Sequence, residues 1–336
     1  MQIIHPAPHQ AAAIVQAMHA VVTAEGSIAA LPIECETIAA IERHLLHLEA
    51  PPPPPAPTLP ADLAGSLDDP VLRTETIRIL ALLPAIDQQV RPEKIAVVER
   101  AATALGVNDR GLVILRQAAR RQLRRIALGM MRRSVAHYWS PTGKARLRDW
   151  LDMLRIFMPK IPGLYQLLTD RTLLARYRAL AARPEATLGH QLYRFYQKRG
   201  YPMPGEPNSF PEGWSKHEAY HIISGYETSL QGEMLNAAFS GGNTEILCMD
   251  LLLLTLLQFQ AGLQIMPGPA PRGELRPDAF FRAVARGMAM QVDLLEGWDL
   301  WSAVDLPLGE LRRRYGVPPL SEEERLALQQ CDALIS

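Results

Sequence analysis

Cysteine is scarce in this chain. Cys35, Cys248 and Cys331 are odd in number, far apart and never in a CxxC pair. That excludes a disulfide framework and a paired-cysteine metal site, and it fits a reducing compartment. Lysine is nearly missing as well, 5 residues against 30 arginines. Genome composition alone can produce such a bias, so an Arg-rich stretch is weak evidence by itself. Net charge is absent, with 35 basic and 35 acidic residues, which leaves no global field to draw in nucleic acid or an acidic partner. Residues 1–50 hold one arginine, no lysine and five glutamates, the wrong make-up for a secretory signal or transit peptide. The expectation is a cytosol-facing bacterial protein. Runs of β-branched residues are few, so no strand is predicted.

What is present is helical. Ala, Leu, Arg, Glu and Gln dominate, and apolar residues recur at helical spacing almost throughout. At 336 residues and 48% hydrophobic content, the fold class expected is all-α with two helical domains. The N-terminal part contains a repeat: Glu36-Thr37-Ile38-Ala39-Ala40-Ile41-Glu42-Arg43 matches Glu93-Lys94-Ile95-Ala96-Val97-Val98-Glu99-Arg100. Each copy follows an apolar helix and a short polar turn, the first ending at Glu25-Gly26 and the second at Ile86-Asp87. Two matching units suggest a pseudo-symmetric bundle. In this pattern residues 9–128 resemble the TerB-like helical family of tellurite-resistance and membrane-associated proteins. Some members carry acidic metal sites in these turns. Here only Glu25 and Asp87 stand there, so solvated turns without an ion are expected. Residues 51–60 contain seven prolines and are expected to form a stiff polyproline spacer. Ser140-Pro141-Thr142-Gly143 marks the expected boundary, giving domains 1–135 and 136–336.

Arg116 to Arg133 carries seven arginines interleaved with Leu123, Ile126, Leu128 and Met131. Read as one helix, it is either a solvated face over a buried stripe or a surface for anionic lipid headgroups. Nucleic acid is disfavoured by the neutral charge and the missing recognition motif. Further helices are expected over Trp150–Met158, Leu164–Ala182 and Leu188–Lys198. Residues 200–213, with four prolines and three glycines, form a candidate lid or rim. Ile246–Met266 is long enough to span a bilayer, but Asp250, Gln258, Gln260 and Gln264 argue for a central buried helix instead. Trp298 and Trp301 are expected as anchors of the last helices.

The stretch that carries chemistry is His217-Glu218-Ala219-Tyr220-His221, answered by Glu233. Two imidazoles four residues apart on a helix share a face, about 40° apart, because each residue advances about 100°. That spacing lets a divalent metal take two nitrogens from one rigid element, and Glu233 is the candidate carboxylate from the next. Glu218 lies on the flank and reaches the same ion with its longer side chain. A simpler reading competes: Ser215-Lys216-His217-Glu218 fits a capping box, with Glu218 a helix-start signal. An HExxH zinc protease, with Glu218 as general base, is also open. Ser224 and Glu227 stand where its extended pattern wants glycine and histidine, however, and its third-ligand glutamate belongs further downstream.

The full spacing, His217-Glu218-x-x-His221-x11-Glu233, resembles the H-D-x-x-H-x11-E signature of the Coq-four family of ubiquinone-biosynthesis proteins. Leu188-Gly189, Tyr193, Arg194 and Phe195 look like the family's "LG…Y…RF" helix. Pro307-Leu308, Glu310-Leu311-Arg312 and Tyr315-Gly316-Val317 look like its closing segment. The likeness covers roughly residues 145–320. Two departures stand out: Glu218 replaces the family's aspartate, and Pro211 and Gly213 interrupt a helix that normally runs longer. The resemblance implies an all-helical, membrane-peripheral and often oligomeric protein on the cytoplasmic face of the inner membrane, working with other quinone-biosynthesis proteins. It implies one divalent metal, Zn²⁺ or Fe²⁺, held by His217, Glu218, His221 and Glu233, and action at the ring-C1 carboxylate of a polyprenylated hydroxybenzoate. A non-catalytic scaffold that binds isoprenoid lipid is the alternative. Lys216 and Arg194 are candidates for the substrate carboxylate. Met234, Leu235 and Phe239, with the Leu251–Leu254 helix, are candidates for an apolar groove around the prenyl tail.

Overall fold

A computed structural model describes residues 1–49, 56–140, 144–157 and 169–326. Among these residues regular structure is helical throughout. Strands are absent, and only two isolated bridges occur, Thr187 with Pro307 and Ala261 with Arg272. In chain order the helices are α1 (Pro8–Val22), α2 (Pro32–His44), α3 (Leu63–Ser66), α4 (Pro70–Leu82), α5 (Pro92–Leu105), α6 (Arg110–Ala119), α7 (Leu123–Ser134) and α8 (Leu147–Phe157). There follow α9 (Arg171–Arg178), α10 (Leu188–Arg199), α11 (Ser215–Ser224), α12 (Leu230–Asn243), α13 (Cys248–Thr255), α14 (Pro277–Met288), α15 (Leu300–Ala303) and α16 (Leu308–Arg314). Five of them open on a proline, whose fixed φ suits the first turn and whose missing N–H is no loss there. Asp69, Asp109, Asp170 and Asp299 cap the amides of α4, α6, α9 and α15.

The chain divides into two compact units, Met1–Met130 with Ala237–Met288, and Met131–Asn236 with Ala289–Ser336. The expected cut at residue 135 is close to the first crossing, but the second domain is not one continuous stretch. Residues 237–288 return to the first unit because their apolar side chains fill its core. Leu252, Leu253, Leu256 and Leu257 are wholly buried there, so these leucines are packing residues of unit 1. The expected long helix is shorter than its apolar run: α13 passes into a π-helical turn, Leu256–Gln260. Its polar residues are all satisfied. Arg110 pairs with Asp250 at 3.2 Å, Gln258 donates to the Pro269 carbonyl, and Gln260 donates to the Ile86 carbonyl at 2.7 Å. No helix among the described residues is long and apolar enough to cross a membrane.

Unit 1 also overturns the solvated-turn expectation at Asp87. Its side chain is fully buried and bonds Lys94 Nζ at 2.8 Å, while Lys94 reaches Glu34 at 2.5 Å. Asp87 also accepts from the amides of Gln89 and Val90. Glu25 behaves as expected, part-exposed and paired with Arg100. Of the proline spacer, residues 51–55 lie outside the described residues. Residues 56–60 are non-helical, and Gln16 of α1 donates to the Thr58 carbonyl. The Arg116–Arg133 stretch is two helices rather than one: the chain breaks at Arg121, whose φ of 54° no helix accommodates.

In unit 2 the expected helix over Leu164–Ala182 begins only at Arg171 among the described residues, and 158–168 lie outside them. Trp298 donates to the Tyr315 hydroxyl at 3.1 Å, and Trp301 packs on Tyr177. Both are internal anchors.

Candidate metal centre

Unit 2 brings four groups to one point. The α11 helix carries His217 and His221 one turn apart, and their Nε2 atoms lie 3.2 Å from each other. Gly225, at φ 85°, ends α11 in the left-handed conformation that a Cβ disfavours. The chain turns there, and α12 sets Glu233 in its first turn. The Glu233 carboxylate straddles the rings, one oxygen 3.2 Å from His217 Nε2 and the other 3.3 Å from His221 Nε2. Donor atoms of His217, Glu218 and His221 fall within 4.8 Å of one another. Ligands around a common ion at about 2.0–2.1 Å stand about 3.0–3.4 Å apart, so the two imidazole nitrogens and the Glu233 oxygens have the spacing of ligands to one divalent cation, with Glu218 on the flank.

The surrounding residues prepare the nitrogens. His221 Nδ1 lies 3.0 Å from the Tyr226 carbonyl. A carbonyl only accepts, so Nδ1 holds a proton and Nε2 is the atom turned to the site. Phe195 of α10 stacks on the His221 ring, with centroids 6.1 Å apart, and Trp214 lies 5.0 Å from the His217 ring. The Trp214 side chain also donates to Glu218. One indole thereby holds two of the four groups. Ser215 does not play the capping role that the competing reading gave it. Its hydroxyl accepts from Tyr177 at 2.8 Å and shares a hydrogen bond with the Tyr196 hydroxyl at 3.0 Å, which pins the start of α11 in the core. At the other end, Arg312 of α16 donates to the carbonyls of Ile222 and Ile223 at 2.7 and 2.9 Å, satisfying orphan acceptors of the last turn.

Charge follows geometry. Burial would raise Glu233, but hydrogen bonds and charge from His217 and His221 outweigh it and hold the carboxyl far below the usual range. Burial lowers His217, and the bond to Glu233 reverses this, so the imidazole is raised. Glu218 is raised, burial first, against the pull of both histidines. Tyr138 is pushed well up by burial and then by Glu218 and Glu233. It sits on the π-helical turn Val135–Trp139, a feature frequent at functional sites. The centre is closed at His221, 1% exposed, and open at His217 and Glu233, 26% and 34% exposed.

The remaining predicted residues scatter. Met234 is buried and Leu235 half-buried on α12. Arg194 is exposed on α10. Lys216 is wholly buried, and its Nζ has no hydrogen-bond partner among the described residues. Burial lowers it to about 8, against the opposing charges of Asp299, Asp293 and Asp149. Phe239 belongs to unit 1, fully buried, with Arg286 over its ring at 5.5 Å. Reading the chain missed Trp214, Tyr138 and Tyr226, and gave Ser215 a capping role in place of its bonds to two tyrosines. For Trp214 a signal existed, an aromatic three residues before a candidate ligand. The Tyr226 contact is a backbone carbonyl, which no residue type announces.

Glycines explain the local departures. A Cβ at Gly213 would fall 2.2 Å from the Trp139 carbonyl, and one at Gly189 2.8 Å from the Val304 carbonyl. Both positions are close backbone approaches that support α11 and α10.

No family model and no curated protein matches the chain. Among solved structures, a protein from Nostoc punctiforme described as a "Putative ubiquinone biosynthesis protein" aligns with 73% of this chain and 99% of its own. It does so at 17% identity and a TM-score of 0.31.

Proposed function

We propose that the chain is a metal-dependent protein of ubiquinone biosynthesis that acts on the ring-C1 carboxylate of a polyprenylated hydroxybenzoate. The observation that supports it is the Glu233 carboxylate straddling the His217 and His221 rings, with Glu218 beside them. These four residues would hold the ion. Two imidazoles with carboxylates suit Zn²⁺ or Fe²⁺. When bound, such an ion supplies Lewis acidity toward a carboxylate or phenolate oxygen and, if iron, redox access to dioxygen.

The chain's own residues define the rest. The Tyr226 carbonyl keeps His221 in one tautomer, Trp214 orients His217 and Glu218, and the open side at His217 and Glu233 is where substrate oxygen arrives. Tyr138 keeps its phenol proton through burial first and then through the charge of Glu218 and Glu233. The decisive experiment measures metal content and turnover together. Purified protein should carry one divalent metal, and metal-loaded protein should release CO₂ from a prenylated hydroxybenzoate, while His217→Ala and Glu233→Ala do neither. Retained quinone production by metal-free variants in cells would favour the lipid-binding scaffold and reject catalysis.

A further inference from the structure

The second candidate surface is in unit 1, and it does not depend on the metal centre. No acidic residue occurs between Asp109 and Asp149, although the chain as a whole is neutral. Positive charge is therefore segregated into this stretch. The break between α6 and α7 concentrates it further. Arg121 takes a positive φ of 54°, and the turn is closed by the Arg121 amide on the Ala118 carbonyl and the Gln122 amide on the Gln117 carbonyl. This corner displays Arg120, Arg121, Arg124 and Arg125 to solvent. Arg116, one turn earlier, is paired with Glu99. Arg120, Arg121 and Arg124 form no ion pair among the described residues, and Arg125 reaches only Gln122. Among the described residues no carboxylate compensates their charge.

In the same exposed row, one turn beyond Arg124, stands Leu128, 54% exposed. The opposite side of α7 is buried through Ile126, Ala127 and Met130, so this helix keeps its core face and offers a second, mixed face outward. A polyanion such as RNA would use the arginines but gain nothing from an aliphatic side chain set among them. An anionic bilayer uses both: guanidinium groups stay with the phosphates while the leucine enters the acyl boundary. The neutral net charge also argues for a short-range, face-specific contact over steering by the whole molecule.

We infer that the α6–α7 corner docks the protein on an anionic phospholipid surface, with Arg120, Arg121, Arg124 and Arg125 on the headgroups and Leu128 inserted among them. The test is co-sedimentation of the full chain with vesicles of phosphatidylcholine alone or with 40 mole per cent phosphatidylglycerol, about that fraction being enough to set a strong surface potential. Binding should appear only with the anionic lipid and weaken as salt is raised. Arg124→Glu/Arg125→Glu should lower the partition coefficient by about tenfold or more, since each basic residue near the surface contributes several-fold. Leu128→Ser should lower it about threefold or more at unchanged charge, and a Leu128→Trp variant should shift its fluorescence to the blue on anionic vesicles. All these positions are exposed, so folding is kept, and circular dichroism checks it. Equal binding to both vesicles, no binding, or insensitivity to the arginine reversals overturns the proposal. So does a Leu128→Ser variant that binds normally, or tighter capture of a short RNA duplex than of vesicles, since either result reduces the corner to a generic polyanion site.

Discussion

Two acidic clusters in this protein solve the same electrostatic problem in opposite ways. In unit 1, Glu34 and Asp87 are buried against Lys94, and all three side chains are at most 1% exposed. In unit 2, Glu218 and Glu233 converge on two imidazoles, with His217 and Glu233 still reachable from solvent. The first cluster contains its own cation, delivered by the chain and sealed in. The second has two imidazole rings where that lysine would be, and an open side. Buried carboxylates must be neutralised by something. Where the chain supplies a lysine the cluster is sealed, and where it supplies imidazoles the cluster stays open to solvent.

The largest effect should come from breaking the sealed cluster. Lys94→Met leaves Glu34 without a counter-charge and should cost about 3–5 kcal/mol in urea unfolding. Asp87 keeps the Gln89 and Val90 amides and Arg91, so the orphan is Glu34. Adding Glu34→Gln, which preserves the acceptor for the Leu31 amide, should recover more than half of that loss. The open cluster should respond in the other direction. His221→Ala or Glu233→Ala should change metal-free stability far less than Lys94→Met, yet weaken metal binding by more than about 100-fold, the upper end of what outer-shell changes do. Chelator competition measures this, and comparable stability losses in the two clusters would erase the distinction between them.

A smaller effect tests the support of the open cluster. Trp214→Phe keeps a ring beside His217 but loses the donor to Glu218, and metal affinity should fall about 10–100-fold. In the parent protein, Trp214 fluorescence should be quenched as Co²⁺ is added, because the indole lies 5.0 Å from His217. The smallest effect belongs to a third case, the surface carboxylate Asp278, 40% exposed and bonded to His44 and an arginine on either side. Burial acts to raise its pKa, and the hydrogen bonds from His44 and Arg282 bring it down to about 2. A depressed acid stabilises the fold above its unfolded value near 3.8 and loses that contribution as pH falls through about 2. Solvent screening limits it to about 1 kcal/mol or less. The stability gap between the parent and Asp278→Asn should therefore be small at pH 5 and vanish by pH 2.

These clusters also mark how far residues can be read without coordinates. The imidazole pair was legible because His217 and His221 belong to one helix, and a helix has a fixed period. Glu233 was legible because Gly225 announces a break between the two elements. Asp87 was not: its turn looks polar and short, and only the arrival of Lys94 and Glu34 from two helices buries it. The arginine stretch was half legible. Its composition was plain, but the left-handed Arg121 that divides it carries no local signature, since arginine rarely adopts that conformation unaided.

By itself the chain determined its helical class and the shared face of His217 and His221, because each of these depends on neighbours within a few turns. Tertiary structure alone decided that residues 237–288 fill the core of the first unit, that the Tyr226 carbonyl selects the His221 tautomer, that Trp214 steadies two donors, and that Arg312 closes α11. Those are contacts between segments distant in sequence. Periodicity states which face of a helix seeks cover, and only packing states what covers it.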